Sequence, residues 1–334
     1  MNILIFRTDR VGDFILTSIL INSIKRIYPK SIITVLSSKK NYEFIKKYSL
    51  VDNVYILDKS RFVEMINLVK LLNKNTFNFT FIIDGKKRSI FFSLFVKSFK
   101  KIYTVTKELF KILSLNRINS VIFDDEVEFN KIEVLKKNLE LINCSLIDDD
   151  LNIFANEIIL SKFNLKQLKI YENKFAILHL DEKWIYNEYI QNYVNIEPKI
   201  DELEKFIHKL LDKLKTDLII TSGIKTNPLF DQLKNRYLKL KENIFLKKYS
   251  DKKIILCENT NIYDLIFLIS KSSLLVTCHG APTHIASSFK VKSIDIIDAS
   301  EYLLFNKYTA HLRKYNQITR KPFYQLTDEI INLS

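Results

Sequence analysis

All four glycines of this chain, Gly12, Gly85, Gly223 and Gly280, come shortly after an apolar run and shortly before a helical pattern. The runs read ILIF, FTFIID, DLIITS and SLLVTCH. They are continuous rather than alternating, which suits strands buried on both faces of a parallel sheet. Four glycines in 334 residues is a severe economy. A chain so poor in glycine is expected to keep it where the backbone needs positive φ or must approach a ligand closely. Tight strand-to-helix turns account for the same placement. Both readings put all four on one rim of a sheet.

The first such corner is the most informative. Residues 3–6 form the apolar run, Arg7 ends it, and Thr8-Asp9-Arg10-Val11-Gly12-Asp13 follows as a polar loop. Leu16, Ile19, Leu20, Ile24 and Ile27 then repeat at helical spacing. Asp13 stands where that helix begins and supports two readings. As a cap, it accepts orphan N–H groups and complements the positive helix end. As a catalytic carboxylate, it lies at the carboxyl end of a strand, where open α/β sheets collect ligands.

The remaining pattern extends this theme. In the first half, strands are expected at 2–7, 32–37, 53–57, 79–84, 101–105 and 120–123, and helices at 14–28, 40–47, 61–73, 87–99 and 129–143. The alternation predicts a parallel sheet with helices on both faces. Residues 145–172 lose the pattern and read as a linker or domain edge, with Asp148–Asp150 as a polar loop. A second series has strands at 175–180, 217–222, 253–257, 273–278 and 293–297. Its helices fall at 201–214, 227–236, 262–271, 283–289 and 325–333. The length accommodates two domains, each with its own core.

Composition narrows the class. The chain is 47% hydrophobic and 27% charged, as in globular proteins, and no uncharged apolar run approaches the ~18 residues of a membrane span. No basic segment precedes an apolar stretch at the N-terminus, so no signal peptide is expected. Cys144, Cys257 and Cys278 are scattered and suit reduced thiols in a cytosol. The net charge of +14 fits an anionic membrane surface, a phosphorylated substrate or nucleic acid, or A/T-rich codon drift. Its spread along the chain argues against nucleic acid.

Three further stretches could carry chemistry. In LLVTCHGAPTHIASSF (274–289), Pro282 suits the first helical position, Gly280 and Ala281 let the backbone approach a ligand, and the helix N-terminus offers an anion site for a diphosphate. Two of the five histidines, His279 and His284, flank this turn, and His284 could donate to a phosphate oxygen. An ordinary strand-turn-helix with incidental histidines is the plainer reading. In FAILHLDEKW (175–184), Lys183 could neutralise a phosphate leaving group, while Trp184 reads as a packing anchor. In DGKKRS (84–89), Lys86, Lys87 and Arg88 suit a phosphate- or carboxylate-bearing acceptor, or form a solvated charge run. There is no G-x-G-x-x-G after the first strand and no P-loop, so nicotinamide, flavin and P-loop nucleotide sites are not expected. No Asp-x-Asp-like metal clamp is evident.

The opening ILIFRTDRVGDFILTSIL, together with FIIDGKKRS and VTCHGAPTHIA, resembles the corresponding blocks of the bacterial heptosyltransferase-like glycosyltransferases (glycosyltransferase family 9) in order and spacing across nearly the whole chain. The resemblance implies a GT-B fold: two Rossmann-like doubly wound domains facing a cleft. It divides the chain into an acceptor domain over 1–160, a nucleotide-sugar domain over 170–320, and a final helix, 321–334, crossing back to the first. It implies metal-independent, inverting transfer of a heptose or related sugar from a nucleotide diphosphate donor to a lipopolysaccharide or other cell-surface glycan, without a cofactor. Asp13 then matches the general base. Lys183, Gly223, His279, Gly280, Ala281, Thr283 and His284 fall in the donor site, and Arg10, Gly12, Lys86, Lys87 and Arg88 in the acceptor site. The expected partners are the nucleotide sugar, a lipid-linked or oligosaccharide acceptor and, peripherally, an anionic inner membrane surface; the expected location is cytoplasmic. His279 stands where the family has Asp, Gly-Ala replaces Thr-Gly, and the segment after Gly223 lacks the family's acidic residue. These departures leave the sugar and base unassigned. They motivate a second expectation, a degenerate GT-B protein that binds nucleotide, glycan or a partner enzyme without catalysis.

Overall fold

The computed structural model describes residues 1–57, 62–106, 119–123, 130–154, 161, 163, 165, 168, 170–172, 174–186, 192–223 and 227–334. They fall into two compact units: residues 1–157 with 307–311, and residues 158–306 with 312–334.

The first unit has strands β1 (Asn2–Phe6), β2 (Ile32–Ser37), β3 (Asn53–Ile56), β4 (Phe77–Ile82), β5 (Ser98–Thr106) and β6 (Asn119–Phe123). Its helices are α1 (Val11–Ile27), α2 (Tyr42–Lys46), α3 (Phe62–Leu72), α4 (Lys87–Leu94) and α5 (Lys131–Glu140). All strand pairs are parallel, in the order β3-β2-β1-β4-β5-β6. The expected strands are all present. Leu4 and Phe6 of β1 pack in one core with Phe92, Val96 and Tyr103, which places α4 on that face. Side chains alternate across a strand, so the equally buried Ile3 and Ile5 face the other side. That is why the run ILIF is apolar throughout. The helix expected over 87–99 ends at Leu94, because Ser98 onward pairs with β4 as a strand.

The order β3-β2-β1-β4 reverses direction between β1 and β4. The exit loops of these two strands therefore diverge and open a crevice at their carboxyl ends. The Asp148–Asp150 stretch is not a polar loop. It is a 3₁₀ turn, Asp148–Leu151, with Asp150 only 3% exposed. Asp150 accepts from Ser23 Oγ (2.8 Å), Ile147 N–H (2.9 Å), and Arg26 Nε and Nη2 (both 3.0 Å).

The second unit has strands β7 (Phe175–Leu180), β8 (Asp217–Ser222), β9 (Leu238–Lys241), β10 (Ile244–Tyr249), β11 (Lys252–Cys257), β12 (Leu274–Cys278), β13 (Lys292–Ile297) and β14 (Tyr315–Thr319). Its sheet order is β14-β13-β12-β7-β8-β11-β10-β9. The helices that follow are α6 (Ile200–Leu214), α7 (Pro228–Lys234), α8 (Ile262–Ser270), α9 (Ala281–Ser288), α10 (Tyr302–Tyr308) and α11 (Phe323–Leu333). The switch point here lies between β7 and β12. Strand β10 runs antiparallel to both neighbours, so the sheet ends in a hairpin that the repeating strand-helix pattern does not contain. The final helix, α11, buries Leu326 and Ile330 in the core of this second unit.

Positive φ is not reserved for glycine in this chain. Among the described residues Gly85 is the one glycine with positive φ, at 60°, whereas Asn143, Lys215, Asn243, Ser250, Asn259, Lys290 and Lys314 occupy the left-handed region. Asn and short polar residues tolerate that conformation, and here Lys also takes it, as at the C-cap of α6. Gly12 lies inside α1 as its second residue.

Candidate functional site

In the first unit, the polar ends of β1 and β4 meet at the switch point. The Arg7 guanidinium is buried and bonds Thr17 Oγ1 (2.7 Å), Asp9 Oδ2 (3.0 Å) and the Ile83 carbonyl (3.2 Å). Asp9 also pairs with the Lys86 ammonium. Thr8 Oγ1 and Ser89 Oγ each donate to Asp84 Oδ2 at 2.6 Å, and Arg88 Nη2 donates to Thr8 Oγ1 at 2.8 Å. Burial raises the Asp84 pKa above the usual carboxylate range, against the hydroxyl donors. These bonds commit Arg7, Asp9 and Asp84 to holding the two loops together.

Asp13 is placed differently. Helix α1 starts at Val11, so Asp13 is its third residue rather than the cap itself. Its Oδ2 accepts the Arg10 backbone N–H at 3.4 Å, longer than a normal bond of this type. The half-buried carboxylate lines two cavities. The larger, about 890 Å³, is bordered by Arg10, Lys39, Lys40, Lys86, Lys87 and Arg88. The smaller, about 180 Å³, is bordered by Arg7, Gly85 and Lys131 among others. Lys131, at the start of α5, stands over the Tyr308 ring, 5.2 Å from its centroid. Burial, aided by Arg7 and opposed by Asp13 and Asp9, lowers its pKa to about 8. The expected acceptor residues Arg10, Lys86, Lys87 and Arg88 thus line one cavity with Asp13, and Gly12 lies in the helix beside it.

In the second unit, the loops after β7 and β12 adjoin. Asp181 caps the short turn Glu182–Trp184 through Lys183 N–H (3.1 Å). The Lys183 ammonium bonds Asp181 Oδ2 (3.0 Å) and the His279 carbonyl (2.7 Å). Burial works against this charge, but Asp181 outweighs it and keeps the Lys183 pKa above its ordinary value. A Cβ on Gly280 would lie 3.0 Å from the Lys183 Nζ. The φ of Gly280 is 170°, which any residue adopts, so the constraint is space and not backbone conformation. Helix α9 begins at Ala281 with Pro282 second, one position later than expected.

The histidines are organised too. The His279 Nδ1 lies 2.6 Å from Asp295 Oδ2. Asp295 is fully buried in β13 and also accepts from Tyr315 Oη (2.8 Å) and Thr283 Oγ1 (3.2 Å). Thr283 therefore supports Asp295. The His279 ring packs on Phe305 (4.3 Å) and meets buried His284 edge-on (5.6 Å). Trp184 is fully buried with its Nε1 donating to the His179 carbonyl, a packing role. His179 pairs with Thr221 and is held neutral by burial, its pKa lowered to about 4. Gly223 follows β8, and residues 224–226 after it lie outside the described residues. Asp295 escaped the sequence reading, although an Asp within the apolar strand SIDII is itself a signal. Arg320, which donates to the Lys183 carbonyl at 2.5 Å, carried no such signal.

No family model matches the chain, and no curated protein matches it by sequence. Solved structures do resemble it. E. coli heptosyltransferase WaaC with ADP superposes with a TM-score of 0.69 at 10% identity, over 100% of both chains. A glycosyl transferase family 9 protein from Veillonella parvula reaches 0.65 at 12% identity, over 99% of this chain and 90% of the other. UDP-GlcNAc 2-epimerase from Methanocaldococcus jannaschii reaches 0.57 at 13% identity, over 100% of this chain and 91% of the other. At these identities the likeness shows the fold, which is GT-B, and fold alone does not assign chemistry.

Proposed function

We propose that the protein is a glycosyltransferase that moves a sugar, heptose or a relative, from a nucleotide diphosphate donor to a glycan acceptor, with inversion and without a metal. The observation that carries this reading is the contrast between the two switch points. One presents Asp13, a carboxylate that accepts a long capping bond, in a cation-rich cavity. The other presents a fixed lysine ammonium beside a helix N-terminus. In the step proposed, Asp13 takes the proton of an acceptor hydroxyl. The hydroxyl oxygen bonds the anomeric carbon while the bond to the phosphate oxygen breaks, and the electron pair leaves with the diphosphate. Lys183, with the N–H group of Ala281, stabilises that charge; Pro282 has no N–H to give, and the Thr283 N–H donates to the Gly280 carbonyl at 3.1 Å. His284 supports the turn through the His279 ring. The cations around Asp13 favour an anionic acceptor, as in a lipid-linked lipopolysaccharide core on the cytoplasmic side of an inner membrane.

The first test is a thermal-shift panel with ADP, GDP, UDP, dTDP and CMP. A ligand at 100 times its Kd adds ~2.7 kcal/mol, visible as a raised Tm. One base is expected to stand out, and sugar-transfer trials with that base follow. A flat panel removes the donor site. Gly280→Ala supplies a sharper check on the same readout. Its methyl would shift the Lys183 ammonium by a few tenths of an ångström against its two partners, so the shift by the preferred diphosphate is expected to shrink as affinity falls. Unchanged affinity would mean that Lys183 does not hold the phosphate.

His279 favours a second reading, binding without transfer. A carboxylate at its place would offer sugar hydroxyls two acceptors, whereas the His279 ring is tied to Asp295. A nucleotide shift with no transfer from any sugar of that nucleotide would support it, and detectable transfer would remove it.

A further inference from the structure

The outer face of α4 is apolar where a surface helix is expected to be polar. Phe91, Leu94 and Phe95, at i, i+3 and i+4, are 59%, 55% and 54% exposed. The Phe91 and Phe95 rings meet edge-on at 5.2 Å. Phe99 of β5 is 79% exposed and shares a sheet face with Lys101 and Tyr103. Both of those residues reach α4: Lys101 Nζ donates to the Leu94 carbonyl (3.3 Å), and the Tyr103 hydroxyl pairs with Ser93 Oγ (3.1 Å). Phe99 therefore stands at the same end of the helix as the other three. Folding does not require them outside, since Ile90, Phe92 and Val96 already anchor the helix in the core.

The charge around this face has one sign. Residues 65–106 contain eight cations and a single carboxylate, Asp84. Asp84 precedes the other end of α4 and is engaged by Thr8 and Ser89. The end of α3 joins the patch, with Asn73 Nδ2 donating to the Phe95 carbonyl and Asn73 Oδ1 accepting from Lys97 N–H, both at 2.8 Å. This brings Lys70, Lys74 and Lys97, all exposed, around the four apolar side chains.

We infer that this face docks on an anionic lipid surface, with Phe91, Leu94, Phe95 and Phe99 entering the interface and the lysines meeting headgroups. Apolar side chains supply the burial, and each nearby lysine adds attraction to an anionic leaflet. A second copy of the chain is disfavoured, because two such faces would oppose lysine with lysine. Protein interfaces are also depleted in lysine, which is abundant here. Among the described residues no helix is long and apolar enough to cross a membrane, so the contact is peripheral. The inference stands apart from the transfer reading, since it concerns a different surface and its test uses no sugar or nucleotide.

The test is co-sedimentation of the full chain with vesicles of phosphatidylcholine, with and without phosphatidylglycerol. Binding is expected with the anionic lipid and is expected to weaken as salt rises. Phe95→Ser with Phe99→Ser should lower partitioning by roughly tenfold or more for each ring removed. Lys74→Glu with Lys97→Glu should abolish the preference for phosphatidylglycerol. All four side chains are exposed, so an unchanged Tm verifies that the variants fold. Absence of binding to anionic vesicles in low salt overturns the inference, as does a double phenylalanine variant that sediments like the wild type. Light scattering that finds a dimer disrupted by the same phenylalanine variant would assign the face to a second copy, and overturns it too.

Discussion

Asp13→Asn is expected to lower sugar transfer by roughly 10²–10⁴-fold while leaving nucleotide affinity unchanged. The substitution keeps the shape and an oxygen that can accept the Arg10 N–H, so the helix loses little as a cap. It removes only the ability to take a proton. Stability and donor affinity serve as internal controls, and a transfer rate equal to the wild type would reduce Asp13 to a cap. The neighbouring Lys131 adds a pH signature. Its pKa is lowered to about 8 by burial, with Arg7 contributing. It is a cation below that value and neutral above it, so its pull on the negative charge beside Asp13 fades as pH rises through about 8. We expect kcat/KM to decline on that alkaline limb. Lys131→Arg keeps its charge far above pH 8 and is expected to move the decline upward. A limb that ignores this substitution would separate Lys131 from the reaction.

The parts of this site that a reader of sequence can find are those fixed by local chemistry. The apolar run ILIF announces a doubly buried strand, and a loop of charged residues at its end announces a rim. Lys183, His279 and Gly280 stand beside equivalent strand ends for the same reason. What brings them together is tertiary. The strand orders that make β1 adjoin β4, and β7 adjoin β12, depend on pairings across tens of residues. Lys131 lines the smaller cavity with Asp13 only because α5 packs beside α1 and β5, and as the first residue of a surface-like helix it looks ordinary. Asp295 is the instructive case. Its charge within a buried strand demands partners, yet sequence alone does not say that they are His279, Thr283 and Tyr315. The hairpin of β9 and β10 lacks a long apolar run, because β9 alternates leucine with lysine and Lys247-Lys248 interrupts β10, and exposed Leu238 and Leu240 show that β9 buries little. Glycine does not mark the left-handed positions, because among the described residues Asn and Lys occupy most of them.

Asp150→Ala is expected to cost about 2–4 kcal/mol of stability, the largest effect for a residue remote from the site. The carboxylate is buried and satisfies four donors: Ser23 Oγ, the Ile147 N–H and two nitrogens of Arg26. Removing it leaves the Ser23 hydroxyl and the Ile147 N–H without their acceptor, and unties the 3₁₀ turn from α1. The Arg26 side chain is 34% exposed and can turn to water, so the loss falls short of a fully buried pair. The pH dependence has a definite sign. Arg26 and the other donors hold the folded-state pKa of Asp150 below its ordinary value, although burial pushes the other way. The stabilisation is therefore complete above the unfolded value of about 4 and is lost as pH falls through the folded one. Wild type and variant should accordingly differ by the full amount at neutral pH and converge in acid. Far-UV circular dichroism follows both units, whereas emission from Trp184, the only tryptophan, follows the second. Coincident transitions would show that the two units unfold together, and a shift confined to circular dichroism would show that the first melts alone. A loss under about 0.5 kcal/mol at neutral pH would mean that the turn is held by its apolar contacts and not by Asp150.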